Sequence, residues 1–283
     1  MRTEQEMMDL ILSVAEEDER IRAVGMEGSR TNPNVSKDIF QDYDISYLVI
    51  NMDPFLADPH WIDVFGERII MQLPEAMSLF PPSLGNWFSY LMLFEDGNRI
   101  DLKIIPVEEK DKYLESDKLL KILLDKDNMF PERPAPTDED FHIKRSGAQH
   151  FADCCNEFWW VSTYVAKGLW RNELIYAIDH LNNYVRPSLL RMIDWKVGIE
   201  TNFSLSVGKH HKYLSKYVSN EIWEKLLSTY VTGNREECWN SLFTQIILFR
   251  ETALEVASKL NYSYPYEDDK KVTAYLEKVR NMQ

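Results

Sequence analysis

Residues 21–50 read IRAVGMEGSRTNPNVSKDIFQDYDISYLVI. The opening apolar run predicts a short buried strand that breaks at a turn on Gly28 and Ser29. A polar connection through Asn32, Pro33 and Asn34 then leads into a second strand, acidic at its entrance and apolar beyond. Side chains alternate along a strand, so Asp42 and Asp44 point to one side and Tyr43 to the other. Two carboxylates held that way can share hard divalent cations, whose preferred ligands are oxygens. A third acid, Asp101, interrupts the apolar run NRIDLKII, where an adjacent strand would carry it to the same place. A carboxylate in such a run is costly unless it is paired, hydrogen-bonded or bound to metal.

Each piece alone has an ordinary explanation. Gly-Ser is a routine turn, Asp-x-Asp is common at solvated strand ends, and Asp101 could simply pair with Lys103. Their order is what points to chemistry: a glycine turn, an acidic strand and a third acid after a hairpin suit phosphoryl or nucleotidyl transfer, where paired metals stabilise the attacking and departing oxygens. On that reading Asp42 and Asp44 bind both metals. Asp101 completes the site of the metal that activates the attacking hydroxyl, or takes the hydroxyl proton itself. Gly28 permits close backbone approach to a phosphate, and the Ser29 hydroxyl and nearby amides hold its oxygens. Arg30 adds charge-assisted bonds or braces the loop.

Working outward, residues 4–18 have Met7, Leu10, Ile11 and Val14 at helical spacing. Residues 59–68 suggest a crossover helix with Trp61, Val64 and Phe65 on its apolar side, and RIIMQ a strand. WFSYLMLFEDG and NRIDLKIIPV are two strand-like runs joined at residues 95–98, where the Asp-Gly step favours a hairpin. PERPAPTDED, with Pro131, Pro134 and Pro136 among charges, is the linker candidate. Long helical patterns follow over 147–168, 171–198, 220–230, 235–260 and from 266 onward. The expectation is an α/β domain with a mixed sheet over 1–136 and a mainly α-helical domain over 137–283.

The chain has 283 residues, 45% hydrophobic, enough for a sizeable core without disulfides or a structural metal. Lys and Arg number 32 against 46 Asp and Glu, a net charge of -14. That field repels long nucleic acids and attracts small polycations, while a compact nucleotide remains admissible through metal ions and local lysines. Cys154, Cys155 and Cys238 form no CxxC pattern, which suits a reducing cytoplasm. The N-terminus has no apolar signal core, and no segment has the apolar length to cross a bilayer. A cytoplasmic monomer or small homo-oligomer with no membrane partner is expected.

EGSRTNPN followed by FQDYDISYLVI resembles the aminoglycoside 6-adenylyltransferases, which have the nucleotidyltransferase fold and include streptomycin-modifying members. LGNWFSYLMLFEDGNRIDLKIIPV, DCCNEFWWVSTYVAKGL, RNELIYAIDHLNNYVRPSLLRM and VGKHHKYLSKYVS extend the resemblance over nearly the whole chain. It implies transfer of AMP from ATP to an aminoglycoside hydroxyl, with diphosphate released and Mg2+ required. It places Gly28 and Ser29 at the phosphates, Asp42 and Asp44 on the metals, and Asp101 as third acid. Transfer to another small molecule or to a protein, and a noncatalytic nucleotide-binding regulator, are the rival readings.

The helical half is expected to supply further contacts. Lys209 and Lys212 are candidates for neutralising the triphosphate, and Tyr213 for contacting base or sugar. Asp153 and Glu157, four residues apart, share a helix face suited to ammonium or guanidinium groups, with Trp159 or Trp160 beside them and Asp179 a further candidate. A solvated surface is the plain alternative for both groups.

Overall fold

Thr3 starts the first helix, α1 (Glu4–Glu17): its hydroxyl accepts from the Glu6 amide, and the Glu6 carboxylate accepts from the Thr3 amide. Met7, Ile11 and Ala15 recur along one face of α1 and are fully buried. They pack on a sheet built from β1 (Ile21–Glu27), β2 (Tyr43–Val49), β3 (Arg68–Gln72), β4 (Phe88–Phe94), β5 (Arg99–Pro106) and β6 (Lys121–Asp125). In this computed structural model, which describes residues 1–58 and 60–282, the strand order is β3-β4-β5-β2-β1-β6. The central β2–β5 pair is parallel and every other pair antiparallel, so the sheet is mixed.

The two faces differ. Tyr43, Ile45, Tyr47 and Val49 of β2 join Ile100, Leu102 and Ile104 of β5 in the large core beneath α1. The opposite face carries a smaller cluster of Ala23, Leu48, Trp87, Ile105 and Leu120, with Tyr113 from α3 (Lys110–Ser116). By alternation, the upstream residues of β2 and β5 on this second face are Asp44, Ser46, Asp101 and Lys103.

Three features depart from the sequence reading. The helix expected over 59–68 is a five-residue α2 (Asp53–Ala57) and a separate 3-10 stretch, Trp61–Phe65; Pro59 lies outside the described residues. A 3-10 turn repeats every three residues, which buries Ile62 and Phe65 and leaves Val64 exposed. Gly66, at φ 113, ends it. Second, KILLD, to which the sequence reading assigned no element, is an edge strand, β6, paired to β1. Third, the proline-rich segment is docked: Arg133 donates to the Leu114 carbonyl and the Thr137 amide to that of Lys118. The chain divides into two compact units at Asp140 and Phe141.

The second unit contains α4 (Ala148–Trp170), α5 (Leu174–His180), α6 (Arg186–Glu200), α7 (Asn220–Ser228), α8 (Arg235–Leu260) and α9 (Tyr266–Asn281). A π-helical turn, Leu181–Val185, joins α5 to α6, whose second residue is Pro187. Proline has no amide to give the preceding turn and its ring crowds the carbonyl there, so the backbone widens instead of continuing as α-helix. Phe158 of α4 stacks on Phe249 of α8 with centroids 3.8 Å apart. Arg250 grips Asp269 through Nε at 2.6 Å and Nη2 at 2.5 Å, and Tyr264 donates to the same carboxylate at 2.7 Å, tying α9 to α8. All three cysteines are buried and free. No helix among the described residues is long and apolar enough to cross a membrane.

Candidate active site

The parallel pairing of β2 with β5 sets Asp44 directly beside Asp101, and the antiparallel pairing of β2 with β1 sets Glu27 on the other side of Asp44. Asp42 stands one residue before β2. The chain leaves β1 through a 3-10 turn, Gly28–Arg30. Gly28 has φ +74, and a Cβ there would lie 2.0 Å from Asp44 Oδ2. Glycine is therefore required twice, for its left-handed backbone and for the closeness of the turn to a carboxylate.

Three carboxylates on adjacent strands repel one another. Burial first, then the charges of Asp101 and Glu27, push the Asp44 pKa up to about 7, with Lys103 pulling the other way. Among the described residues no hydrogen bond is donated to Asp44. Asp101 is gripped by its strand neighbour: Arg99 donates from Nε to Oδ1 and from Nη2 to Oδ2, both at 2.8 Å. Arg99 Nη1 lies 3.7 Å from Asp42 Oδ2. Hydrogen bonding to Asp101 holds the Arg99 guanidinium firmly charged.

Several groups that shape the site were not singled out in the sequence. Glu27 is only 4% exposed, accepting from Ser46 Oγ at 2.8 Å and Lys103 Nζ at 3.1 Å. Lys103 thus pairs with Glu27, and Arg99 takes the role sequence reasoning allowed for Lys103 beside Asp101. The signal was present: Arg99, Asp101 and Lys103 occupy alternate positions of one strand and so share a face. Beneath them Tyr113 closes the layer, its hydroxyl 1.9 Å from where a Cβ on Gly25 would stand.

Arg30 braces the loop. It donates to the carbonyls of Asp42 at 3.0 Å and Gln41 at 2.8 Å, and its guanidinium lies 3.6 Å from the Tyr43 ring centroid. With its side chain 7% exposed and those bonds made, it holds the entrance of β2. Gln41 in turn donates to the Ser29 carbonyl at 3.3 Å, which fixes the turn against that entrance.

The helical candidates separate. Asp153 and Glu157 are exposed on α4, Asp153 accepting from Gln149 at 2.8 Å. Asp179 is exposed on α5 and accepts from Asn183 at 2.6 Å. Trp159 is corrected: it is 2% exposed and packs edge-on against Phe158 and Phe249, so it presents no surface to a ligand, whereas Trp160 is 58% exposed. Helical phase explains the difference, since Trp159 continues the buried line of Phe151 and Cys155 one turn on.

Lys209 opens a 3-10 turn, Lys209–His211, and Lys212 and Tyr213 join it to a second, Leu214–Lys216, in place of a helix start, because His210 and His211 both have positive φ. Lys212 and Lys216 flank the Tyr213 ring, 5.0 Å and 4.7 Å from its centroid. The neighbouring histidines line a cavity of about 550 Å³ with Arg186, Arg191, Asp194 and Tyr230, and His211 meets Asp194 at 3.0 Å.

A mixed sheet whose central parallel pair bears acids on neighbouring rungs, entered from a tight Gly-Ser turn and followed by a helical unit, defines an enzyme of the nucleotidyltransferase fold. The family model for streptomycin adenylyltransferase matches residues 1–279. An aminoglycoside 6-adenylyltransferase of Bacillus subtilis (strain 168) is 52% identical over 278 residues, covering 98% of each chain. Those of Campylobacter jejuni and Staphylococcus aureus are 50% identical over 270 residues and 41% identical over 266, covering 95% and 94% of this chain and 93% and 94% of their own. Among solved structures, an aminoglycoside 6-adenyltransferase from Bacillus subtilis matches at 48% identity across 99% of each chain, with a TM-score of 0.49. By the family model and these sequence relatives, the chain belongs to the streptomycin adenylyltransferase family.

Proposed function

We propose that this enzyme transfers AMP from ATP to a hydroxyl of an aminoglycoside, the 6-hydroxyl of streptomycin in particular, and releases diphosphate. The observation that carries the reading is the rung shared by Asp44 and Asp101 beside the Gly28 turn, in a chain whose relatives are aminoglycoside 6-adenylyltransferases.

The donor set fits Mg2+. It is all carboxylate oxygen, and Asp44 is half-buried among like charges with no hydrogen-bond donor among the described residues, a state that a divalent cation relieves. Asp42, Asp44 and Asp101 would hold the ion, which when bound neutralises charge developing on phosphate oxygens. The Gly28 turn brings main-chain amides and the Ser29 hydroxyl toward the phosphates. Glu27 and Lys103, joined at 3.1 Å, lock β1 to β5 across β2 and hold the acid-bearing strands in register. The acceptor hydroxyl attacks the α-phosphorus, the new O–P bond forms as the bond to diphosphate breaks, and Asp101 is the carboxylate assigned to take the hydroxyl proton. Positioning and charge stabilisation supply most of the acceleration.

In the helical unit we assign Lys209, Lys212 and Tyr213 to the nucleotide, and Asp153, Glu157 and Asp179 to the cationic acceptor. The test is diphosphate release with ATP and Mg2+, with and without streptomycin, together with the product mass. Streptomycin-dependent release and an AMP adduct are expected, and Asp44→Asn should lower the rate by about 10³-fold or more while the fold persists. Release that is indifferent to streptomycin, with no adduct, would reject the acceptor assignment.

A further inference from the structure

Arg99 and Asp101 stand at i and i+2 on β5 and face the same way. The Arg99 fork occupies both oxygens of Asp101 at 2.8 Å, while its remaining nitrogen is 3.7 Å from Asp42. One guanidinium therefore spans two of the three acids. Asp44, on the rung beside Asp101, is left without a donor among the described residues. Among the described residues no three His, Cys, Asp or Glu side chains converge at metal-ligating range. The Arg99 fork engages both Asp101 oxygens, and a guanidinium there competes with a small hard cation that must approach them to the about 2.0–2.1 Å that Mg2+ demands.

Two further observations point the same way. The Arg99 side chain is 42% exposed, against 20% for Asp101, so the guanidinium can leave for solvent while the carboxylate stays. The other cations nearby are committed elsewhere, Arg30 to the carbonyls of Gln41 and Asp42 and Lys103 to Glu27. Arg99 is the positive charge that bridges the acids themselves.

We propose that Arg99 is the resting counter-cation of the acid cluster and must release Asp101 before a divalent ion binds, so that it sets the metal affinity of the site. The inference rests on the reading of Asp42, Asp44 and Asp101 as metal ligands. Arginine and the metal compete for the same oxygens, and a competitor that favours the metal-free state weakens apparent affinity by the stability it lends that state. Arg99 is a positioning residue here, acting through Asp101.

The experiment is Mn2+ binding to the full chain without nucleotide, followed by the electron paramagnetic resonance of free Mn2+ at fixed pH and ionic strength. Arg99→Gln should bind about tenfold more tightly than the unaltered chain, the scale of one charge-assisted fork. Arg99→Lys, which keeps the charge but not the fork, should fall between them. Thermal unfolding supplies a second readout: Arg99→Gln should melt lower without metal and gain more on Mn2+ addition. Affinity unchanged or weakened in both variants overturns the role of Arg99. Asp44→Asn separates the two layers of argument, because Mn2+ binding unaffected by that change would overturn the metal-ligand reading itself, and this inference with it.

Discussion

In the helical unit Asp269 is buried with Arg250, Tyr264 and Thr273 all bonded to it; in the sheet unit Asp44 is half-buried between Asp101 and Glu27 with no donor among the described residues. Both are inward-facing aspartates, and their surroundings drive them in opposite directions. Burial alone would raise the Asp269 pKa, but the bonds from Arg250 and Tyr264 outweigh it and hold the group below the usual carboxylate range. Burial and like charge raise Asp44 to about 7. A saturated buried charge reads as structural, whereas a half-buried carboxylate crowded by like charges is a candidate functional group.

Asp269→Asn should give the largest loss of stability, about 3 kcal/mol by chemical denaturation, since it leaves the Arg250 guanidinium without its counter-charge. The depressed pKa fixes the sign with pH: the Asp269 contribution is present above the unfolded pKa and fades as the solution is acidified, so the variant should close its gap to the unaltered chain toward low pH. Failure of that gap to narrow would detach α9 anchoring from the ion pair.

Asp44 should show the reverse slope. Folded, it keeps its proton up to about pH 7; unfolded, it loses it near the ordinary aspartate value, so between those points the folded chain binds the extra proton and rising pH works against folding. With a chelator present, the unaltered chain should lose about 2–3 kcal/mol relative to Asp44→Asn between pH 5 and pH 8. Parallel stability curves for the two proteins would contradict the crowding of carboxylates.

The smallest effect is expected at Gly28. Gly28→Ala should cost about 1–2 kcal/mol for the left-handed backbone. It should also depress turnover more than stability, because the added methyl displaces Asp44. Equal turnover per folded molecule would mean that the turn is merely a turn.

The parts legible in the sequence were those governed by strong local rules. The third acid came from the adjacent strand, Asp101 beside Asp44, the Asp-Gly step at 96–97 made the β4–β5 hairpin, and the 235–260 helix is bounded by a capping Asn234 and a left-handed Asn261. What failed was decided at a distance or by a competing period. KILLD went unassigned because its apolar run is too short to separate strand from helix, and pairing to β1 makes it a strand. Trp159 was placed by its chemistry when its helical phase, shared with Cys155, already assigned it to the core. Glu27 became visible as a site residue only once β1, β2 and β5 were aligned, since its partners Ser46 and Lys103 lie on other strands, whereas the i, i+2 spacing of Arg99 and Asp101 was legible in the sequence and was passed over.

The shared rung of Asp44 and Asp101 also makes this enzyme unequally tolerant of copying errors. Substitutions in the Glu95–Asn98 corner leave the count of residues intact, and Asp101 still arrives on the acidic face. A single inserted or deleted codon in that corner, if the strands kept their pairing, would turn Asp101 over into the apolar layer under α1 and bring Ile100 or Leu102 out in its place. The length of this turn thus constrains the site more directly than its composition does.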